Sequence, residues 1–241
     1  MRERHDQNEP GMTLRIRLSL LLAGLALLAG CATKPQPPMD LRPFAGGTSQ
    51  KVGVALAELP KASMDYPGTD CLLCFAAAQL ANAPLAKQVD TFDAEQLKPV
   101  RDRIADSLRR KGVNAVVIAE PIVLESLAQV SGDTTNKPHR DFRPLKARYG
   151  VDKLVVVSVD ALGIQRLYSG FAPVTDPRAY VRGTGYMVDL ASNTYEWYQP
   201  FRVFRPAEGR WNEPPEYPGL TNAYLRALEA SQDRLLQPWS F

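Results

Sequence analysis

Cys71 and Cys74, three residues apart in "TDCLLCFAAAQLANAPLA" (69–86), are the side chains whose type and spacing bear most directly on chemistry. A C-x-x-C pair can cycle between dithiol and disulfide, clip a loop as a structural bond, or supply half of a thiolate metal site. The metal reading lacks its second half, because no further Cys or His pair is present to complete a tetrahedral zinc site. The run after Cys71 is almost free of charge, so a membrane-dipping helix and ordinary core are further readings. Asp70 is positioned to cap a helix that begins near Cys71, and a helix N-terminus lowers the pKa of a thiol. Composition alone leaves these readings open.

Other candidate chemistry is sparse. His139 stands alone in the polar loop "SGDTTNKPHR", and no serine has a G-x-S-x-G setting. His139-Arg140-Asp141 spells a kinase tripeptide, without the later Asn, the Gly-rich loop or the D-F-G that would give it meaning. Gly183-Thr184-Gly185 has neither the third glycine nor the strand-to-helix setting of a dinucleotide loop, and reads as a place of close backbone approach. Ser158 and Asp160 lie near the end of an apolar strand, where α/β sheets often bind ligands. A strand end also needs polar residues to meet water. This inventory predicts no catalytic residue, no metal, no cofactor and no enzyme.

Aromatic side chains offer surfaces instead. Tyr195, Trp197, Tyr198, Phe201 and Phe204 crowd one segment, and strict alternation would put Tyr195 and Trp197 on one face and Tyr198 on the other. A proline-rich arm adds Trp211 and Tyr217. Because aromatics are enriched at interfaces, Tyr195, Trp197, Tyr198, Trp211 and Tyr217 are candidates for a partner surface, with core packing or a strap over the domain as the alternatives.

The elements that must position these residues follow from periodicity and punctuation. "KVGVALAEL" (51–59), "VNAVVIAE" (113–120) and "DKLVVVSVDAL" (152–162) are apolar enough for buried strands. Leu97, Val100, Ile104 and Leu108 recur at helical spacing, with Arg109, Arg110 and Lys111 in the last turn and Gly112 as the stop. A short helix is expected within 122–130, and another over Phe142, Leu145 and Tyr149, capped by Asp141 and ended by Gly150. Two strand-like runs flank Ala191-Ser192-Asn193 and should pair as an antiparallel hairpin. A final helix is expected from about Thr221 to Leu236. The predicted fold is α/β, a β-α-β-α-β sheet with an added antiparallel hairpin and a C-terminal helix. That order does not reproduce a thioredoxin unit, and the Leu-Leu between the cysteines is no redox cue.

The N-terminal region gives an address. Arg15 and Arg17 precede the apolar run 18–28, which is too short to span a bilayer comfortably and has the layout of a secretory signal. Its end, Leu28-Ala29-Gly30-Cys31, resembles the lipobox of bacterial lipoproteins, which implies acylation of Cys31 and a mature chain beginning there. Met12 is then the expected start of translation. Ala32 after the cysteine resembles outer-membrane sorting, rather than retention at the inner membrane. The expected domains are a signal peptide (1–30), a lipid-anchored flexible tether (31–50) and one periplasmic α/β domain (51–241). Of the 29 basic and 26 acidic residues, the leader holds four and three, so the mature chain is nearly neutral and no nucleic-acid partner is predicted. In an oxidising periplasm Cys71 and Cys74 can pair.

Val188, Asp189, Leu190, Ser192, Asn193 and Trp197, a "V-D-L" strand followed by a polar turn and an aromatic-bearing strand, complete a second likeness. With the lipobox and the β-α-β-α-β order, the region 51–205 resembles periplasmic lipoproteins that share the fold of the TolB N-terminal domain. The chain as a whole, through "CLLC", "YGVDKL", "RGTGY" and "NTYEWY", resembles uncharacterised proteobacterial lipoproteins. The anchor, the tether and the absent catalytic set point to a non-enzymatic, outer-membrane-anchored protein that faces the periplasm and binds an envelope protein or itself. The alternatives are a periplasmic redox protein using the C-x-x-C dithiol, and an oligomeric, secretion- or pore-associated lipoprotein.

Overall fold

A computed structural model describes residues 35–41, 50–132 and 135–240. Cys31, the leader and most of the expected tether lie outside the described residues. In chain order the elements are β1 (Lys51–Leu56), β2 (Ser63–Asp65), α1 (Leu72–Ala81), α2 (Ala83–Val89), α3 (Pro99–Arg110), β3 (Asn114–Val117) and α4 (Pro144–Tyr149). Then follow β4 (Lys153–Gln165), β5 (Tyr168–Ser169), β6 (Ala172–Pro173), β7 (Arg178–Asp189), β8 (Thr194–Pro206) and α5 (Pro218–Leu236). The main sheet runs β3-β1-β4-β7-β8, with β2 added beside the far end of β4. Its β3-β1-β4 half is parallel and its β4-β7-β8 half antiparallel, while β5 and β6 form a separate small hairpin. The predicted α/β sheet with an added hairpin and a C-terminal helix is therefore the observed architecture.

β4 is apolar along most of its length because both of its faces are covered. Val155, Val157 and Val159 join the core under α3 and α5, while Leu154 and Val156 join a second core on the opposite face. A bulge between Val159 and Ala161 leaves Asp160 unpaired and reverses the parity, so Leu162 and Ile164 return to the first core. α3 forms where the apolar stripe predicts it: Val100 and Ile104 are 0% and Leu108 1% exposed. Arg109 and Arg110 stand in the last turn of that helix, and Gly112 follows it at φ +78°.

Two expected local structures differ. The segment 122–130 holds only a single turn at Leu124–Ser126, yet Ile122 and the partly buried Leu124 and Leu127 help cover the second core. Asp141 does not cap α4: it accepts a bond from the Arg143 N–H, and Arg143 is the N-cap residue, with no side-chain cap bond. Beyond the expected elements, Met39 pairs with Tyr198 on the outer edge of β8, its N–H donating at 2.8 Å and its carbonyl accepting at 3.1 Å. No described helix is long and apolar enough to cross a membrane.

Candidate functional site

α1 begins at the cysteine pair. Cys71, with φ −137° and ψ 154°, is the N-cap residue, and its sulfur accepts a bond from the Cys74 N–H at 2.9 Å. Asp70, expected as the cap, is displaced from that role by one residue. Cys71 and Cys74 are joined by a disulfide with Cα atoms 5.0 Å apart, a separation that an unforced bridge tolerates. The two sulfurs differ in access: Cys71 is exposed and Cys74 is buried.

The bed beneath α1 is small and specific. Ala78 packs with Tyr66 and Tyr168, whose rings meet edge to face at 6.1 Å, and Phe75 lies edge-on to Tyr66 at 6.0 Å. Asn82, fully buried, donates to the Ala78 carbonyl at 2.7 Å and to the Tyr168 hydroxyl at 2.6 Å, and accepts from Arg166 at 3.2 Å. A buried amide with three partners holds the far end of the helix in place. Only Cys74 and Ala78 of α1 are buried, whereas Leu72, Leu73 and Leu80 are 90%, 75% and 78% exposed. The β5-β6 tip, carrying exposed Phe171, sits beside the residues leading to Cys71, because the Gly170 N–H bonds the Gly68 carbonyl at 3.1 Å. Cys71 thus meets solvent beside the exposed Leu72 and Leu73 of its own helix. Sequence reading missed this exposure: the run 72–81 is apolar nearly throughout, so no period separates the covered side chains from the open ones.

The absence of an enzyme predicted from the sequence is corrected here. A C-x-x-C pair at the first turn of a helix, bonded, with one sulfur accessible and the other covered, is the arrangement of dithiol-disulfide chemistry. Sequence reading set the redox pair aside because the element order is not that of a thioredoxin unit and Leu-Leu is no redox cue, but exposure at a helix start, which only the fold supplies, bears on it more than either.

The remaining candidates fall elsewhere. Ser158 is buried and its hydroxyl lies 3.5 Å from an Asp160 carboxylate oxygen, at the edge of a cleft of about 560 Å³ lined also by Glu58, Lys61 and Glu125. Partial desolvation, opposed by the Ser158 bond and by Arg182, holds the Asp160 carboxyl above its ordinary range even though the residue's surface meets water. His139 is exposed.

Trp197 and Tyr217 are corrected from the expected partner surface, being 1% and 9% exposed in the main core. Alternation misassigned the hairpin because β8 bulges at Glu196, opposite Met187 and Val188. With the extra residue, Tyr195 and Tyr198 share one face, 4.9 Å apart and packed with Tyr186, and Trp197 occupies the other. Tyr195 and Tyr198 are half-buried, and Trp211, also half-buried, lies under the Arg166 guanidinium at 5.3 Å.

The tyrosines set an alkaline limit. Burial, then neighbouring Tyr195, Asp160 and Tyr198, pushes the Tyr186 phenol well above its usual value, and burial with Tyr168 pushes Tyr66 up to about 12. A raised phenol pKa supplies stability that is present below the unfolded value near 10 and lost as pH rises through the folded value. The domain should therefore lose stability from about pH 10 upward, with tyrosinate absorbance and circular dichroism changing together. Full tyrosinate formation without loss of fold would contradict this packing.

Fold and site together define a mixed α/β domain bearing a surface disulfide at a helix start. No protein-family model matches the chain. No curated protein matches it either. Solved structures resemble it distantly. The PelC dodecamer from Paraburkholderia phytofirmans is 11% identical, over 84% of this chain and 94% of that one, with a TM-score of 0.34. Protein XCC0632 from Xanthomonas campestris is 13% identical over 83% and 90%, at 0.34. Lipoprotein GNA1162 from Neisseria meningitidis is 14% identical over 76% and 99%, at 0.25. None of these three is described as a TolB-type domain, and similarities at this level carry no assignment of activity.

Proposed function

We propose that this chain is a lipid-anchored envelope protein whose domain exchanges disulfides with the thiols of extended protein segments at Cys71–Cys74. The observation that carries the reading is the accessibility of Cys71 at the helix start, beside exposed Leu72 and Leu73, with Cys74 covered. A partner thiolate attacks the Cys71 sulfur, forms a mixed disulfide and expels Cys74 as a thiolate. A second partner thiolate then attacks the partner's own sulfur in that mixed disulfide and releases Cys71 as a thiolate. The partner dithiol loses two electrons to become a disulfide, the Cys71–Cys74 bond gains them, and a protein disulfide of a second envelope partner reoxidises the pair by the reverse exchange. The first turn of α1 stabilises the Cys71 thiolate through the Cys74 N–H, which donates to that sulfur, and the positive end of the helix. Exposed Leu72 and Leu73 beside Cys71 suit an unfolded or extended apolar chain, the form in which thiols are accessible.

The lipobox likeness of Cys31 supports anchoring, the short apolar leader supports export, and Ala32 after the cysteine supports an outer-membrane lipoprotein facing the periplasm. Trapping tests the reading. Cys74→Ser leaves Cys71 free to hold its partner and should accumulate reductant-sensitive mixed disulfides in cells, at least about tenfold above Cys71→Ser. Equal and negligible capture by both variants, with equal loss of thermal stability, would leave the bond a purely structural one.

A further inference from the structure

A groove of about 670 Å³ lies between β8 and the helices that cover the sheet, and it gathers Arg103 of α3, Arg202 and Arg205 of β8 and Arg234 of α5. Some arginines elsewhere take carboxylate partners, Arg109 with Asp106, Arg143 with Asp141 and Arg226 with Glu208, while Arg140 and Arg166 stand singly on carbonyl and amide oxygens. In the groove none of the four is ion-paired among the described residues. Arg103 and Arg234 reach only amide oxygens, of Gln232 and Gln237, each at 3.4 Å, and Arg205 donates to the Phe204 carbonyl at 2.9 Å. Asp233 is the groove's one carboxylate. The surplus of guanidinium groups is open to solvent and matched to an anion with several oxygens.

The chain itself indicates which anion comes near. Arg234 also lines the adjoining cleft with Asp40, Leu41, Trp197 and Gln199, so the docked segment around Met39 borders the groove. Met39 pairs antiparallel with Tyr198, so the chain reaching Met39 from Pro37 arrives from the Pro200–Arg202 side. Five residues lie between Cys31 and Pro37, which confines an acylated Cys31 to roughly 20 Å from Pro37.

We infer that the arginine groove binds the phosphate groups of anionic phospholipids in the leaflet that holds the acyl chain. This rests on acylation of Cys31. The groove then sets how the domain sits on its membrane, a job the acyl chains alone cannot do, because a single attachment point leaves rotation free. Lipid binding of this kind adds with each basic residue near the surface and weakens with salt.

The test uses the full chain carrying Cys31→Ser, with vesicles of phosphatidylethanolamine containing either phosphatidylglycerol or phosphatidylcholine. The apolar leader is common to both arms, so the readout is the ratio of binding between the two compositions. Binding should favour phosphatidylglycerol by roughly tenfold, and the preference should vanish in R202E/R234E and fall in the milder R202Q/R234Q. Unchanged circular dichroism in these variants confirms their fold. Equal binding to both compositions, or a preference that survives both double substitutions, overturns the inference. Palmitate labelling of the unsubstituted chain is read separately, so failure of the anchor and failure of the groove are told apart.

Discussion

Replacing Trp197 by alanine should remove about 3–5 kcal/mol of folding stability, the full range for deleting a buried aromatic. The indole is 1% exposed and meets Trp239 edge to face at 5.0 Å, which ties β8 to the end of α5. Its ring also covers Gly185 on β7 so closely that a Cβ there would stand 2.4 Å from Cη2. Urea denaturation of Trp197→Ala beside Tyr198→Ala separates core from rim. Tyr198 is half-buried on the opposite face, so its loss should remove well under half as much. Gly185→Ala is also expected to destabilise, and the double variant should lose less than the sum of the two, since the atoms that collide belong to both sites. Additive losses would mean that the indole does not rest on Gly185.

Gly183→Ala is the second large effect, expected to exceed about 3 kcal/mol and to leave little soluble protein. A Cβ at Gly183 would lie 2.2 Å from the Ser158 carbonyl oxygen and 2.9 Å from the Val159 Cα, both backbone atoms of the central strand. These atoms cannot yield, because β4 is held by β1 on one side and β7 on the other. Gly183 faces β4 where its bulge begins, so the close approach and the bulge belong to one feature. Gly53→Ala is the comparison: its Cβ would meet the Leu154 Cδ1 at 2.9 Å, the end of a side chain that can rotate, and the loss should stay near 1 kcal/mol. Thermal melts of the two variants, read together, decide it. Similar small losses would mean that β7 can move away from β4.

Part of this protein is legible one residue at a time. The apolar run in β4 predicts cover on both faces, the spacing of Val100, Ile104 and Leu108 predicts α3, and two strand-like runs around Ala191-Ser192-Asn193 predict the hairpin turn. In that turn the Asp189 carboxylate accepts from the Ala191 and Ser192 N–H groups, each at 2.9 Å. Burial would raise its pKa, but these bonds outweigh burial and keep it low. Such features are local: periodicity, glycine, proline and short polar side chains act within a few residues. The glycines of the Gly183-Thr184-Gly185 run also read correctly as sites of close approach, though not which neighbours approach.

What the sequence by itself determined is the main strands β1, β3, β4, β7 and β8, the helices α1, α3, α4 and α5, the turn between β7 and β8, and a cysteine pair spaced to bond. The short elements β2, α2 and the β5-β6 hairpin were not read from it. Only the tertiary structure decided that Glu196 and Asp160 are extra residues in their strands. The bulge at Glu196 sends Trp197 into the core and sets Tyr195 beside Tyr198, and the one at Asp160 returns Leu162 and Ile164 to the main core. It also decided that Met39 lies on β8, that four arginines from three elements share a groove, and that Cys71 rather than Cys74 meets solvent. The physical reason is common to all of them. A bulge, a bridge or a burial is fixed by the partner strand or the helix above, and no window of neighbouring residues contains that partner.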